Sequence, residues 1–235
     1  MTSDITGPQM SRIDRIMMDE MGVDTLQLME LAGDRVADMA RRHCGIDLTR
    51  NPRIVALAGT GGNGGDAMVA ARLLHVWGAD CTVVLTRARE DYTGITAHQL
   101  AILDRLGIPA IEPGLEALPA AELILDGLLG FSLHGDPRGE TARLIALAND
   151  HPAPILAIDL PSGLDATTGE VGTPCITATW TVTLALPKTG LVHAPAIVTG
   201  NIWLADIGVP SVIYEKIGVN IPNDLFSHSS LICVR

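Results

Sequence analysis

The sequence predicts an α/β fold in which a doubly wound, mostly parallel sheet lies between two layers of helices. Compact apolar runs, such as residues 53–58 and 81–85, have the length and composition of buried strands. The segments between such runs carry apolar residues at helical spacing, and a glycine closes several of them. Because right-handed crossovers put helices on both faces of such a sheet, this alternation predicts a three-layer α/β/α sandwich.

Two helices are predicted before the first strand, within residues 9–44. The first ends at Gly22. The second begins at a cap formed by Asp24 or Thr25 and ends at Gly45.

The remaining elements follow in chain order after the first strand, at residues 53–58. We expect helices over residues 66–77, 93–106 and 139–149, and strands over residues 81–85, 123–126, 154–159, 179–186 and 201–205. The whole chain, residues 1–235, is expected to form one domain with a core over about residues 10–210. The tail, residues 211–235, lacks a clear period and is expected at the periphery.

Composition excludes several classes of protein. An apolar fraction of 47% with 18% charged residues argues against a disordered chain. No apolar stretch reaches the length of a membrane span, and the start lacks the pattern of a signal peptide, so a cytoplasmic location is expected. The net charge of −11, with scattered basic residues, argues against binding to nucleic acid.

A glycine-rich segment, residues 59–66, follows the first strand. Glycines let a ligand approach the backbone closely, and the start of a helix offers N–H groups to a phosphate. Asn63 and Asp66 lie within this segment and favour a binding role. A turn with a purely structural role is the alternative.

Two further strand ends carry polar residues. Asp126 ends one predicted strand, and Asp159 ends the next and is followed by Ser162. In doubly wound folds, ligands bind at the carboxyl ends of the strands. Asn63, Asp126 and Ser162 therefore offer an amide, a carboxylate and a hydroxyl to one crevice, which suits a monovalent cation; caps of ordinary turns are the alternative. Lys188 directly follows another predicted strand, where it either neutralises a phosphate or is solvated.

Several of these segments resemble one known family. In order they are Gly-Gly-Asn-Gly-Gly-Asp at 61–66, Asp-x-x-x-Gly at 126–130, Asp-Leu-Pro-Ser-Gly-Leu-Asp at 159–165, Pro-Lys-Thr-Gly-Leu at 187–191 and Asp-Ile-Gly-Val-Pro at 206–210. Together with Leu-Met-Glu-Leu-Ala-Gly at 28–33, they resemble the YjeF N-terminal domain family, the NAD(P)H-hydrate epimerases. The resemblance covers roughly residues 10–210.

The resemblance implies a Rossmann-like three-layer sandwich that interconverts the R and S forms of hydrated NADH and NADPH. It implies a bound monovalent cation, usually K⁺, with Asn63, Asp126 and Ser162 as its ligands. The implied substrate-binding residues are Gly62, Asn63, Gly64, Gly65, Asp66, Gly130, Phe131, Ser132, Leu133, His134, Gly135, Asp136 and Asp159. We take Asp159 as the candidate catalytic acid or base, and we expect the Asp159→Asn substitution to abolish epimerisation without disturbing the fold.

The chain departs from the family pattern at four positions. Gly62 stands where the family usually has asparagine, and Ala67 where it often has glycine. Phe131 and Ser132 replace a usual Thr-Gly pair. A non-catalytic nucleotide-binding, dimerisation or scaffold module of the same fold is therefore the alternative function.

The expected partners are a small nicotinamide dinucleotide and a separate dehydratase that acts on the S form. Too few residues follow Pro210 for the fused dehydratase domain that some relatives carry. No nucleic acid and no membrane are expected as partners. The apolar N-terminal helices suit a homodimer interface.

Overall fold

The computed structural model describes residues 3–133 and 135–235 and confirms the predicted α/β fold. The strands are β1 (Arg53–Ala58), β2 (Asp80–Leu85), β3 (Ala110–Ile111), β4 (Leu123–Gly127), β5 (Ile155–Ile158), β6 (Trp180–Leu184), β7 (Asn201–Ala205) and β8 (Leu231–Cys233). The helices are α1 (Gly7–Asp19), α2 (Thr25–His43), α3 (Gly62–Val76), α4 (Gly94–Leu106), α5 (Gly139–Asp150), α6 (Thr189–His193), α7 (Ala196–Thr199) and α8 (Ser211–Lys216).

The eight strands form one sheet in the order β3-β2-β1-β4-β5-β6-β7-β8. Every neighbouring pair is parallel except β7 and β8, which are antiparallel. The chain winds outward from β1 to β3 and then returns to place β4 on the other side of β1. The direction of winding therefore reverses between β1 and β4, which is where doubly wound sheets open a crevice for ligands.

Alternate strand residues pack into two different cores, as expected for a sheet that is buried on both faces. In β1, Ile54 and Ala56 belong to a large core that includes residues of α1, α2, α3 and α4. Val55 and Leu57 point to the opposite face and pack with Leu144 of α5. The sheet is therefore the middle layer of three.

Both predicted N-terminal helices are present, and each begins at a capping box, although α1 runs from Gly7 to Asp19 and so begins and ends before the predicted bounds. Thr6 and Gln9 make a capping box at the start of α1, and Asp24 and Gln27 make another at the start of α2. Asp24, not Thr25, is the cap of α2. Close packing of α2 on α3 depends on Gly33, where a Cβ atom would lie 2.4 Å from Val69.

The structure corrects the predicted start of α3. The helix begins at Gly62 rather than at Asp66, so residues 62–66 are its first turn and not a loop. Glycine has a low intrinsic helix propensity, and that is why the prediction placed the start too late. The ends of β6 also differ by one or two residues from the expectation.

The tail has more structure than the sequence predicted. It forms α8 and then β8, which pairs with β7 at the edge of the sheet. The Tyr214 side chain is buried, and its hydroxyl donates a hydrogen bond to the Ala185 carbonyl at 3.2 Å. β3 and β8 are only two and three residues long, too short for periodicity to reveal.

Across the described parts of the chain, we find no helix that combines the length and the apolar character needed to cross a lipid bilayer.

Candidate functional site

A cavity of about 590 Å³ opens at the carboxyl ends of the strands, beside the point where the winding reverses. The start of α3, the residues after β2 and the loop after β4 form much of its wall. Asp159 and Lys188 also line it, and α1 and α2 contribute Asp14 and Met29. The cavity therefore combines a helix start with a group of charged side chains.

Close backbone contacts at the start of α3 require glycine at two positions of the glycine-rich segment. A Cβ atom on Gly64 would lie 1.8 Å from the carbonyl oxygen of Gly59, and one on Gly59 would lie 2.1 Å from that of Leu128. The cap residue of α3, Gly61, supplies no side-chain hydrogen bond. The N–H groups of the first turn thus lack a capping side chain and lie at the positive end of a 15-residue helix.

Asp159 follows β5 in the left-handed backbone region, with φ of 65°. Its Oδ1 atom accepts hydrogen bonds from the Leu184 N–H at 3.1 Å, from the Thr183 hydroxyl at 3.3 Å and from the Lys188 ammonium. Within the described residues, these contacts leave Oδ2 without a hydrogen bond. The carboxylate is therefore held through one oxygen on the wall of the cavity.

Lys188 forms a buried ion pair with Asp159. Its side chain is fully buried, and the ammonium also donates to the Leu184 carbonyl at 2.8 Å. Lys188 is thus not solvated, which was one of the two roles that the sequence left open, and its ammonium is bonded to Asp159. A buried pair of this kind is costly to break, because either partner alone would be an uncompensated charge.

Two further carboxyl groups line the same cavity. Burial and the nearby charges of Asp159 and Asp14 raise the pKa of Asp66 well above its usual value. Burial also raises the pKa of Asp14 to about 6, although the positive charge of Lys188 opposes this shift. The cavity therefore holds three carboxyl groups around one ammonium group, an arrangement that favours protonation of at least one carboxyl.

The structure brings Asn63, Asp126 and Ser162 close together. The Ser162 hydroxyl donates to Asp126 Oδ1 at 2.6 Å, and the Ser162 N–H donates to Asp126 Oδ2 at 2.8 Å. The Asn63 amide nitrogen donates to the Leu129 carbonyl at 2.9 Å and to the Ile158 carbonyl at 2.7 Å. The Asn63 amide oxygen makes no hydrogen bond to a described residue and is therefore available as an acceptor.

The surroundings of Asp126 fit a monovalent cation. The carboxylate is fully buried, and burial raises its pKa to about 6. Within residues 3–133 and 135–235 it has no ion pair. One carboxylate together with the neutral oxygens of Asn63, Ser162 and Leu129 is a hard donor set of low charge.

The predicted substrate-binding residues divide between two cavities. Those that line the large cavity are Gly62, Asn63, Gly64, Asp66, Gly130, Phe131, Ser132 and Asp159. Leu133, Gly135 and Asp136 instead line a second cavity of about 310 Å³. Gly65 lies against Met29, where a Cβ atom would be 2.2 Å from the methionine methyl group, and it lines neither cavity. His134 lies outside the described residues.

Two departures from the family pattern have a structural explanation. Ala67 is fully buried, and its methyl group packs against the backbone of Gly127. A Cβ atom on Gly127 would lie 2.6 Å from the Cβ atom of Ala67. Ala67 therefore packs inside the fold and does not narrow the cavity. A Cβ on Gly62 would have no neighbour within 4 Å, so a larger side chain would also fit there.

Sequence reasoning did not single out Asp14 or Arg87, both of which line the cavity. Asp14 carried a usable signal, because it follows Met10 by one helical turn and precedes Met17, and both methionines are buried. A carboxylate on the apolar face of a helix indicates a polar partner or a ligand site. Arg87 carried no comparable signal, since an arginine after a strand is usually solvated.

Comparison with known proteins gives close relatives over most of the chain. A relative from Dehalogenimonas lykanthroporepellens, named NAD(P)H-hydrate epimerase, is 36% identical over 92% of this chain and 86% of its own length. Another with that name, from Weissella koreensis, is 33% identical over 90% of this chain and 94% of its own length. A relative from Moorella thermoacetica, named bifunctional NAD(P)H-hydrate repair enzyme Nnr, is 40% identical, but the match spans only 40% of its length.

The fold comparison agrees with these relatives. The crystal structure of yeast ynu0 matches 99% of this chain and 100% of its own, with a TM-score of 0.84 and 23% identity, and this likeness supports the fold alone. The family model described as YjeF-related protein N-terminus matches residues 25–190, which include the glycine-rich helix start, Asp126, Asp159 and Lys188. The chain belongs to the family of YjeF-related protein N-terminal domains.

Proposed function

We propose that this chain is an NAD(P)H-hydrate epimerase, an isomerase that interconverts the R and S forms of hydrated NADH and NADPH. The observation that carries this proposal is the cavity, which is lined both by an uncapped helix start and by a buried Asp159–Lys188 pair. A dinucleotide needs the first group for its phosphates and a proton-transferring group beside its ring. The relatives named as epimerases support the same activity.

Two carboxyl groups of different character support the chemistry. Epimerisation requires a proton to be moved at the ring hydroxyl or nitrogen while charge on the ring is stabilised. Asp66, whose pKa is raised by burial, favours the protonated form and suits the role of proton donor. Asp159 is paired with Lys188 through Oδ1, and its Oδ2 atom makes no hydrogen bond to a described residue. It therefore suits the role of proton acceptor or charge stabiliser.

We also propose that K⁺ binds beside this cavity, with Asn63, Asp126 and Ser162 as the residues that hold it. When bound, the cation supplies positive charge that offsets the buried Asp126 carboxylate. Asp126 and Ser162 lie behind the residues that line the cavity, whereas Asn63 belongs to both groups. The cation would therefore order the start of α3 and the loop after β4 rather than take part in proton transfer.

The test of the activity uses the purified chain with the separated R and S forms of NADPH hydrate. We expect the wild-type chain to interconvert them and the Asp159→Asn variant to lose about 10²–10⁴-fold in rate, as for loss of a general acid or base. The isomer ratio is measured by chromatography. Failure of the wild-type chain to bind or interconvert the hydrates would favour the non-catalytic alternative.

The control for this experiment separates lost chemistry from lost stability. Asp159→Asn leaves the Lys188 ammonium buried without its partner, which we expect to cost about 3–5 kcal/mol of unfolding free energy. The sequence alone did not predict this loss of stability, because it did not show that Asp159 and Lys188 are paired. The double variant Asp159→Asn/Lys188→Met removes both charges and should recover much of the stability, yet it should remain inactive.

Oligomeric state and cellular partners belong to the same proposal. We propose a homodimer through the N-terminal helices, a cytoplasmic location and a dehydratase that consumes the S form. Two exposed methionines support an interface on the N-terminal helices: Met18 near the end of α1 and Met21 just beyond it. Light scattering of the purified chain tests the dimer, which a monomer mass would contradict.

A further inference from the structure

Arg87 is a cation on the wall of the cavity to which neither the family motifs nor the proposed chemistry assigns a role. It lies two residues beyond the end of β2, and its side chain is exposed. The guanidinium makes no hydrogen bond or ion pair with any residue in the described part of the chain. By contrast, Arg89 on the same loop is paired with Asp104.

The charge balance of the cavity makes Arg87 important for an anionic ligand. Asp14, Asp66 and Asp159 are acidic, and the ammonium of Lys188 is already bonded to Asp159. Arg87 is thus the uncommitted cation among the described lining residues. A ligand with several phosphate groups would be attracted to that side of the cavity and not to the acidic side.

The order of the strands places the charged groups in a row. Arg87 follows β2, the glycine-rich start of α3 follows β1, and Asp159 follows β5, with β4 between β1 and β5. Neighbouring strands lie about 4.8 Å apart, so the ends of β2 and β5 are separated by roughly 14 Å. A dinucleotide with its nicotinamide ring near Asp159 and its pyrophosphate at the start of α3 would place the ribose of its adenosine near Arg87.

In dinucleotide-binding sheets of this strand order, the residue at the end of the second strand selects between a 2′-hydroxyl and a 2′-phosphate on the adenosine ribose. An acidic side chain there accepts a hydrogen bond from the 2′-hydroxyl, whereas an arginine nearby accommodates a 2′-phosphate. In this chain Thr86 and Arg87 are the cavity-lining residues at that strand end, and neither is acidic.

We propose that Arg87 binds the 2′-phosphate of the adenosine ribose and makes this chain prefer NADPH hydrate to NADH hydrate. The guanidinium can donate two parallel hydrogen bonds to a phosphate, which adds geometric selectivity to charge attraction. This inference rests on the proposed epimerase function and names its preferred substrate.

The test compares kcat/KM for the two hydrates in the wild-type chain and in Arg87→Ala. Hydrogen bonds to charged groups contribute about 1.5–3 kcal/mol, which corresponds to roughly 10–150-fold in kcat/KM. We expect the wild-type chain to prefer NADPH hydrate by that factor. The variant should lose this preference, because the loss in kcat/KM is much larger for NADPH hydrate than for NADH hydrate, which has no 2′-phosphate.

Arg89→Ala is the matched control. It removes an arginine from the same loop, but that arginine pairs with Asp104 and does not line the cavity. Both hydrates should retain wild-type kinetics in this variant. An equal loss on both hydrates in Arg87→Ala, or no loss on either, would overturn the assignment.

A second readout separates this inference from the proposed function. NADP⁺ and NAD⁺ are added to each variant, and the rise in Tm is measured. We expect NADP⁺ to stabilise the wild-type chain more than NAD⁺ and the difference to disappear in Arg87→Ala. If the wild-type chain turned over neither hydrate, the epimerase proposal would fail. The difference between NADP⁺ and NAD⁺ would then decide the role of Arg87.

Discussion

The side chains around Lys188 illustrate how burial changes the behaviour of single residues. Asp159 forms an ion pair with Lys188. Asp14 and Asp66 lie in the electrostatic field of the same pair, but neither has an ion-pair partner among the described residues. The backbone at Asp159 has φ of 65°, a region that aspartate and asparagine tolerate better than most residues. Asparagine is therefore a better replacement than alanine at this position.

Asp14→Asn is expected to stabilise the protein at neutral pH. The folded-state pKa of Asp14 is raised from 3.8 to about 6, so the stability that its protonated form contributes is present below about pH 4 and is lost as pH rises through 6. Asparagine has no charge to bury. We expect a gain of about 1–2 kcal/mol at pH 7, reduced from the full effect because Asp14 is partly exposed.

Urea unfolding at pH 7 and pH 4 measures this effect. The difference between Asp14→Asn and the wild-type chain should shrink at pH 4, where the wild-type carboxyl is largely protonated. Asp19→Asn, at the exposed end of the same helix, should change stability by less than about 0.5 kcal/mol. If Asp14→Asn were less stable than the wild-type chain at pH 7, burial of the charged Asp14 carboxylate would not be a cost to stability, and the prediction would be contradicted.

At the scale of elements, the glycines at the start of α3 differ in whether the fold requires them. Gly59 and Gly64 are required, because their neighbours are backbone atoms that cannot move aside. Gly62 is not, because the space beside it is open. The same helix start thus combines tight backbone packing on one side with an accessible cavity on the other.

Gly64→Ala and Gly62→Ala should therefore differ sharply. A methyl group at position 64 would lie 1.8 Å from the Gly59 carbonyl oxygen, and we expect destabilisation of about 3 kcal/mol or more. At position 62 the methyl meets nothing within 4 Å, and the lower conformational entropy of alanine in the unfolded chain should stabilise the protein by up to about 1 kcal/mol. Thermal unfolding measures both. Equal effects at the two positions would show that the packing at Gly59 is not what requires glycine.

At the scale of the whole molecule, the reversal of winding between β1 and β4 brings distant segments to one place. Asn63 lies in the first turn of α3, Asp126 is the last residue but one of β4 and Ser162 follows β5, yet their polar groups meet around Leu129. A ligand held there would join three separate parts of the fold. Its binding energy would therefore add to global stability.

K⁺ is expected to raise the Tm of the wild-type chain relative to Na⁺ at the same ionic strength. The Asp126→Asn variant should lose this difference, because its amide keeps the size of the carboxylate but not the charge. Asp136→Asn, in the second cavity, should retain it. An unchanged difference between K⁺ and Na⁺ in Asp126→Asn would contradict the proposed cation site.

Much of the fold was predictable because its signals are local. Strands such as β1 and β7 are compact apolar runs whose bounds match the expectation, and the cap at Asp24 is adjacent to the helix that it begins. The start of α3 was placed too late because intrinsic propensity disfavours glycine, whereas tertiary packing at Gly59 and Gly64 requires it.

The site was predictable only in part. The amino-acid sequence determined which strand ends carry polar groups, since strand ends and glycine-rich turns are visible along the chain. Only the tertiary structure decided which charges are paired. Lys188 meets Asp159 across 29 residues, whereas Arg87 meets no described partner, and spacing along the chain gives no sign of either. The physical reason is that hydrophobic periodicity is a local property, whereas the energy of a charge depends on burial and on partners that distant segments supply.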